Sequence, residues 1–217
     1  MLGDVQRPRA VAEYLLERLV CAGADKICLV IGAGKSDILE YFGGRFAGAD
    51  LVYVVQPEPH GLCDALFRAS ALVANDEPVA VGLPDTIWFP EAALSNLPED
   101  ILSFLLFPVE HPELFDAVAL DDRDQVLEIR VKQRDPGTHW IWGAFKMPGR
   151  VFHELRALWY ARQTQDEYVG TLINAYIAAG GLAVGCKAGD TYMDVGTLHG
   201  YHTAMLMLSE PVTELRA

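Results

Sequence analysis

Short apolar runs alternate with amphipathic helical segments along the first half of the chain, and this alternation restricts the fold more than any other feature. Residues 26–31, 51–55 and 78–83 have the length and composition of buried strands, whereas 11–22 and 62–73 carry apolar side chains at helical spacing. Strands that alternate with helices are typical of a parallel sheet covered on both faces. We therefore predict an α/β, Rossmann-like fold with a mainly parallel sheet and helices on both faces.

The second half of the chain has a different pattern. Residues 115–131 are rich in β-forming side chains around the polar turn 121–124, which predicts a small β-hairpin region. Helical segments are expected around 149–161 and 167–179. Because no linker or repeat interrupts the pattern, we expect one domain over residues 1–217.

Charge and composition exclude several classes of partner. The chain has 17 basic and 30 acidic residues, a net charge of −13, which repels nucleic acid and anionic membranes. No apolar run reaches the roughly 20 residues that a membrane-spanning helix needs. The opening residues MLGDVQRPRA contain no apolar segment of a signal peptide. We expect a soluble, cytoplasmic protein that binds neither nucleic acid nor membrane.

Two sequence patterns resemble phosphate or metal motifs but do not fulfil them. Gly34-Lys35-Ser36 follows a strand, yet Leu29 occupies the position of the first glycine of a P-loop, so a strand-to-helix turn is favoured. Asp122-Arg-Asp124 has the DxD pattern of metal-dependent glycosyltransferases, but its place in a polar hairpin turn favours a solvated turn.

Asp85 and Asp194 are better candidates for a functional site. Each follows an apolar segment of strand length, where ligands of open parallel sheets bind. Two aspartates that meet at such an edge are suited to one Mg²⁺, which prefers oxygen ligands and substrate phosphates. For either residue alone, a turn or a helix cap is an equally good interpretation.

Three segments resemble, in the right order, the signatures of sugar-1-phosphate nucleotidylyltransferases. They are Gln56-Pro-Glu-Pro-His-Gly-Leu-Cys-Asp-Ala-Leu66, Gly82-Leu-Pro-Asp85 and Tyr192-Met-Asp-Val-Gly-Thr-Leu-His-Gly-Tyr201. The nearest subgroups are the glucose-1-phosphate uridylyl- and thymidylyltransferases. The resemblance extends from about residue 8 to 201 and implies a fold of the GT-A type.

The resemblance also implies the nucleotide and metal ligands. Gln56 and the backbone at Gly61 match the residues that contact a uracil or thymine base. Asp85 and Asp194 match the two ligands of a catalytic Mg²⁺.

Three further positions match residues that bind the sugar phosphate. Lys132 matches a lysine that contacts the phosphate, Gly143 a glycine beneath the sugar, and Glu167 a further sugar contact. The implied reaction is the transfer of a nucleoside monophosphate from UTP or dTTP to a sugar-1-phosphate, chiefly glucose-1-phosphate, with release of pyrophosphate. A homo-oligomer is also compatible with the sequence.

The chain departs from the family pattern in two respects. The family's opening strand, with a Gly-rich loop that cradles the triphosphate, precedes the first residues matched here, so we expect exposed strand edges. Either the sequence lacks its true N-terminus, or the protein is a homologue that has lost triphosphate binding. Val131 and Leu172 stand where the pattern has Glu and Asp. The alternative is therefore a non-catalytic homologue that binds nucleotide or sugar phosphate or serves as a regulatory subunit, with a GT-A glycosyltransferase after it. We expect the 217-residue chain to form nucleotide-sugars slowly or not at all.

Overall fold

The computed structural model describes residues 9–209. Within this range the helices are α1 Val11–Cys21, α2 Ser36–Phe42, α3 Gly61–Arg68, α4 Gly149–Ala161, α5 Val169–Ala178 and α6 Leu198–Ser209. The strands are β1 Lys26–Gly32, β2 Arg45–Phe46, β3 Ala49–Gln56, β4 Pro78–Gly82, β5 Thr86–Phe89, β6 Leu102–Pro108, β7 Asp116–Leu120, β8 Val126–Val131, β9 Trp140–Pro148, β10 Ala183–Cys186 and β11 Thr191–Asp194. No helix in these residues is long and apolar enough to cross a membrane.

The strands form a mixed arrangement. The largest sheet has the order β10-β6-β9-β7-β8, and β4 pairs with β9. Strand β9 is antiparallel to β4, β6 and β7, so these three strands and β10, which is parallel to β6, run in one direction. A second sheet contains the parallel pair β1 and β3 with β2 at its edge. The α/β class is confirmed, but most hydrogen-bonded neighbours are antiparallel because β9 lies between strands that share a direction.

Both faces of the large sheet are covered, as the apolar runs predict. Side chains alternate across a strand, and in β6 Phe104 and Leu106 join one core cluster while Leu105 and Phe107 join another. The first cluster contains residues of α3, α4 and α5, and the second contains the apolar face of α1. Burial on two sides explains why the sequence of β6 is apolar without alternation.

Strands β1 and β4 are the outer members of their sheets. Within residues 9–209 each pairs with a neighbouring strand on one side only. Apolar side chains on both strands, Leu29 and Val81 among them, are consequently only half-buried. The beginnings of the two strands lie close together, because Lys26 of β1 forms an ion pair with Glu77, the residue before β4.

A short two-stranded ribbon determines where the candidate site lies. Strands β5 and β11 pair antiparallel, with Asp194 opposite Thr86. Strand β5 follows the Leu-Pro-Asp85 turn that ends β4, and β11 leads directly into α6. The ribbon therefore joins two segments that are far apart in sequence.

Candidate active site

Asp85 and Asp194 lie side by side because of this antiparallel pairing. A Cβ atom built on Gly196 would be 3.1 Å from Asp194 Oδ1 and 3.1 Å from Asp85 Oδ2, so these oxygens are separated by no more than twice that distance. Burial of Asp85, together with the Asp194 charge, raises the pKa of Asp85 above its ordinary value. The two carboxylates are close enough to share one cation.

The backbone around Asp194 holds its carboxylate in place. The Gly196 N–H donates a hydrogen bond to Asp194 Oδ1 at 2.9 Å, and the Val195 N–H donates to the Asp85 carbonyl at 2.8 Å. The first turn of α6 packs so closely that a Cβ on Gly200 would lie 1.6 Å from the Asp194 carbonyl oxygen. A side chain at position 200 is therefore incompatible with the present position of Asp194.

Gln56 and Gly61 come together at the end of β3. Gln56 Nε2 donates to the Gly61 carbonyl at 3.3 Å and to Asp64 Oδ2 at 2.7 Å. Asp64 also forms an ion pair with Arg68 at 3.0 Å. Burial would raise the pKa of Asp64, but the Gln56 and Arg68 hydrogen bonds outweigh it and lower that pKa. Since both Nε2 interactions are within the protein, the Gln56 Oε1 atom is the acceptor that can face a ligand.

Glu167 contacts the same loop. The Leu62 N–H donates to the Glu167 carbonyl at 3.2 Å, and a Cβ on Gly61 would lie 2.9 Å from that oxygen. Gly61 also has a φ of +84°, which favours glycine. The preceding Asp166 is buried and accepts two hydrogen bonds from Arg162, which fixes the loop that carries Glu167.

Lys132 and Gly143 lie on the hairpin side of the site. Lys132 follows β8 with a φ of +46°, and its Nζ is 5.3 Å from the centre of the Tyr168 ring. Gly143 lies in β9 where the pairing with β6 shifts register, and a Cβ there would be 2.7 Å from the Tyr192 ring. Gly143 thus gives Tyr192 the space it occupies.

Tyr192 connects this side with the paired carboxylates. Its pKa is raised, mainly by burial and then by the charges of Asp194, Asp85 and Asp116. The carboxyl group of Asp116 is in turn influenced by the Lys132 ammonium group. No hydrogen bond or ion pair between described residues joins the Gln56–Gly61 loop directly to Asp85 or Asp194.

The comparison with known proteins decides the family. Residues 5–210 match the nucleotidyl transferase family. This chain belongs to that family of enzymes.

Individual nucleotidyl transferases are only distantly similar in sequence. The glucose-1-phosphate thymidylyltransferase of Neisseria gonorrhoeae is 26% identical over 204 residues, which are 88% of this chain and 69% of that protein. The UTP–glucose-1-phosphate uridylyltransferase AglF of Haloferax volcanii is 21% identical and covers 95% of this chain and 86% of its own. A UTP-bound UGPase from Acinetobacter baumannii has the same fold, with a TM-score of 0.74 at 20% identity over 98% of this chain and 86% of that one.

Three residues near the site were not identified from the sequence. Asp64 holds the Gln56 amide, Tyr192 lies between the two sides, and Asp116 begins β7. Asp64 belongs to the Gln56–Leu66 segment and lies on the helix that follows Gln56. Its spacing from Gln56 was therefore the available signal. Asp116 precedes an alternating β segment and offers no signal by itself.

Proposed function

We propose that this nucleotidyl transferase moves a nucleoside monophosphate from UTP or dTTP to a sugar-1-phosphate, glucose-1-phosphate above all. The observation that carries the proposal is the proximity of the Asp85 and Asp194 carboxylates at the end of the β5–β11 ribbon. The thymidylyl- and uridylyltransferase activities in the names of two relatives support the choice of substrates.

The two aspartates fit Mg²⁺ as the cofactor. Mg²⁺ is commonly bound by one or two carboxylates plus water and substrate phosphates, so it does not need a larger protein cage. The described residues contain no cluster of three or more carboxylate, His or Cys side chains suited to a metal. Asp85 and Asp194 are accordingly the proposed ligands. The ion supplies positive charge that neutralises the phosphates of the bound nucleotide.

Gln56 and Gly61 are proposed to recognise the base. Because Gln56 Nε2 is bonded to Gly61 and Asp64, its Oε1 is directed as an acceptor toward the N3–H of uracil or thymine. The Gly61 backbone N–H is a suitable donor to a neighbouring base carbonyl. Cytosine and adenine lack a donor at the corresponding ring nitrogen, so they leave the Gln56 acceptor unpaired.

Lys132, Gly143 and Glu167 are proposed to hold the sugar-1-phosphate. The Lys132 ammonium group supplies charge for the phosphate, and Gly143 acts through Tyr192, whose ring occupies the space that a side chain at position 143 would fill. Glu167 is an exposed acceptor for sugar hydroxyl groups next to Gly61, which is consistent with a sugar adjacent to the nucleotide.

The residues contribute mainly by positioning the two substrates. An oxygen of the sugar phosphate forms a bond to the α-phosphorus as the bond to pyrophosphate breaks, so no protein nucleophile is required. Lys132 fixes the attacking phosphate and reduces the repulsion between two anions. The Gln56–Gly61 loop fixes the nucleotide, and alignment of the reacting groups is itself a large part of catalysis.

The cellular location and the domain organisation belong to the same proposal. We place the activity in the cytoplasm, in one domain spanning residues 1–217. We also propose a Rossmann-like arrangement, which the parallel pairs β1–β3 and β6–β10 support.

A specific observation favours the alternative of a non-catalytic homologue. Leu172 stands where the sequence pattern has Asp, and its side chain is only 1% exposed in the α5 core. That position therefore offers no polar group to a substrate. A protein of this type would retain nucleotide or sugar-phosphate binding without turnover.

Two measurements on the same preparation test the proposal. Calorimetry should detect Mg²⁺-dependent binding of UTP or dTTP in preference to ATP and GTP, and glucose-1-phosphate should then release pyrophosphate. We expect slow turnover that disappears in Asp194→Asn, whereas Asp122→Asn in the exposed hairpin turn leaves it unchanged. Selective binding without any turnover would favour the non-catalytic alternative. Equal binding of all four nucleotides, or a purine preference, would contradict both.

A further inference from the structure

Two polar atoms beside the proposed sugar site are buried and unpaired. Oδ1 of Asp116 and Nε1 of Trp142 are enclosed by protein and have no hydrogen-bond partner in the part of the chain that the structure describes. Buried polar groups are almost always paired, so an unpaired carboxylate oxygen next to an unpaired indole N–H needs an explanation. The Trp142 indole N–H is near enough to act as a weak hydrogen bond that lowers the pKa of Asp116, although neither atom makes a hydrogen bond of normal geometry.

The two oxygens of the Asp116 carboxylate differ in their surroundings. Asp116 is only half-buried, and its Oδ2 is not among the enclosed unpaired atoms. A Cβ built on Gly170 would lie 3.4 Å from Asp116 Oδ2 and 2.7 Å from a methyl group of Val131. Asp116 and Val131 are direct partners in the β7–β8 register. Of this pair, only Asp116 has a side-chain acceptor.

The surroundings of Asp116 are the proposed substrate groups. Lys132 follows Val131 and lowers the pKa of Asp116, opposing the larger effect of burial, which raises it. Phe115, the residue before Asp116, packs against the Tyr192 ring with ring centres 5.7 Å apart, and Tyr192 is two residues before Asp194. The start of β7, which carries Asp116, is therefore close both to Lys132 and to the segment that carries Asp194.

We propose that Asp116 is a specificity-determining residue that accepts a hydrogen bond from one hydroxyl group of the sugar. An ionised carboxylate is only an acceptor, so it attracts a hydroxyl donor and repels the phosphate, which Lys132 attracts. The two residues together orient the sugar-1-phosphate, with its ring toward Asp116. Trp142 is a positioning residue, because its buried indole N–H acts on the Asp116 carboxyl from within the protein.

This inference rests on the proposed function and narrows the range of sugar-1-phosphates that the site accepts. A site built around a charged acceptor discriminates strongly against a substrate that lacks the matching hydroxyl group, because the carboxylate is then desolvated without a partner. One monodeoxy analogue of glucose-1-phosphate should bind about 10- to 100-fold more weakly than glucose-1-phosphate itself, since hydrogen bonds to charged groups are the strong ones.

Binding calorimetry with glucose-1-phosphate and its 2-, 3-, 4- and 6-deoxy analogues tests the inference. In the unaltered chain, one analogue should show the large loss of affinity. In Asp116→Ala that loss should disappear, while the relative affinities of the other analogues stay the same. Trp142→Phe should reduce the same loss without abolishing it, and Asp122→Asn is the matched control for charge. Thermal unfolding shows in advance that each variant is folded.

The outcomes distinguish a failure of the proposed function from a failure of the role given to Asp116. If the unaltered chain binds no sugar-1-phosphate, the acceptor half of the proposed function fails, and this inference fails with it. If the chain binds glucose-1-phosphate but Asp116→Ala keeps the full loss for the same analogue, only the role of Asp116 is overturned. An equal weakening of all analogues would likewise show a purely structural role.

Discussion

Replacing Asp85 with Asn should stabilise the metal-free protein while removing its response to Mg²⁺. Asn has nearly the same shape as Asp but carries no charge, so the change removes the repulsion between positions 85 and 194. The distance between the two carboxylates is at most twice 3.1 Å. At that greatest separation Coulomb's law gives a repulsion of about 0.7 kcal/mol at the dielectric constant of water and about 2.7 kcal/mol at a value near 20, and a shorter distance would raise both.

Solvent exposure decides between these limits. Protein surrounds the Asp85 carboxyl closely enough to raise its pKa, but the residue as a whole is exposed to solvent. Water and salt therefore screen its charge, and the repulsion lies toward the lower figure, near 1 kcal/mol. For a domain of this length, about 1 kcal/mol corresponds to a rise in Tm of roughly 2–4 °C. Mg²⁺ at about 100 times its Kd should stabilise the unaltered chain by about 2.7 kcal/mol. Asp85→Asn should lose most of that gain.

Thermal unfolding in EDTA and in excess Mg²⁺ provides the assay, with Asp122→Asn as the control for a lost surface charge. The control should show the same Mg²⁺ response as the unaltered chain. A lower Tm for Asp85→Asn in EDTA, or an equal gain from Mg²⁺ in both proteins, would refute the reasoning that the two carboxylates repel each other and jointly bind the ion.

Three other changes have defined outcomes. Asp64→Asn should lower stability at neutral pH by about 1–3 kcal/mol; because the pKa of Asp64 is lowered in the folded state, this difference should shrink as pH falls below the ordinary value of 3.8 in denaturant titrations. Gly200→Ala should displace the Asp194 backbone and abolish the Mg²⁺ response in the thermal assay, whereas Gly44→Ala, where a Cβ meets no atom within 4 Å, should not. Lys132→Met should weaken glucose-1-phosphate binding about 10-fold and reduce its salt dependence, because a charge-assisted contact is lost; unchanged affinity in calorimetry would remove Lys132 from the site.

Local pattern was sufficient to predict many of the elements. The predicted helix at 149–161 has the same limits as α4, and the predicted hairpin at 115–131 corresponds to β7 and β8. Strand β5 was not predicted. It has four residues and is stabilised by pairing with β11, a long-range contact that periodicity does not reveal. The mixed direction of the sheet was missed for a similar reason, since the apolar run of β9 does not indicate its direction.

Some residues of the candidate site could likewise be selected from the sequence and others could not. Asp85 and Asp194 could be selected from the sequence because each ends an apolar segment, and their juxtaposition follows from the ribbon. Asp116 could not be selected, because a carboxylate at the start of an alternating strand is usually solvated. Its importance depends on burial beside Trp142, which only the folded chain provides.

The metal site is the central claim, and a crystal structure of the chain with UTP and Mn²⁺ in place of Mg²⁺ tests it most directly. Mn²⁺ can be located by its anomalous scattering, and it favours the same oxygen ligands as Mg²⁺. We predict one ion within about 2.1–2.3 Å of carboxylate oxygens from both Asp85 and Asp194, in contact with the nucleotide phosphates. Bound UTP with the ion held elsewhere, or with neither aspartate as a ligand, would contradict the account.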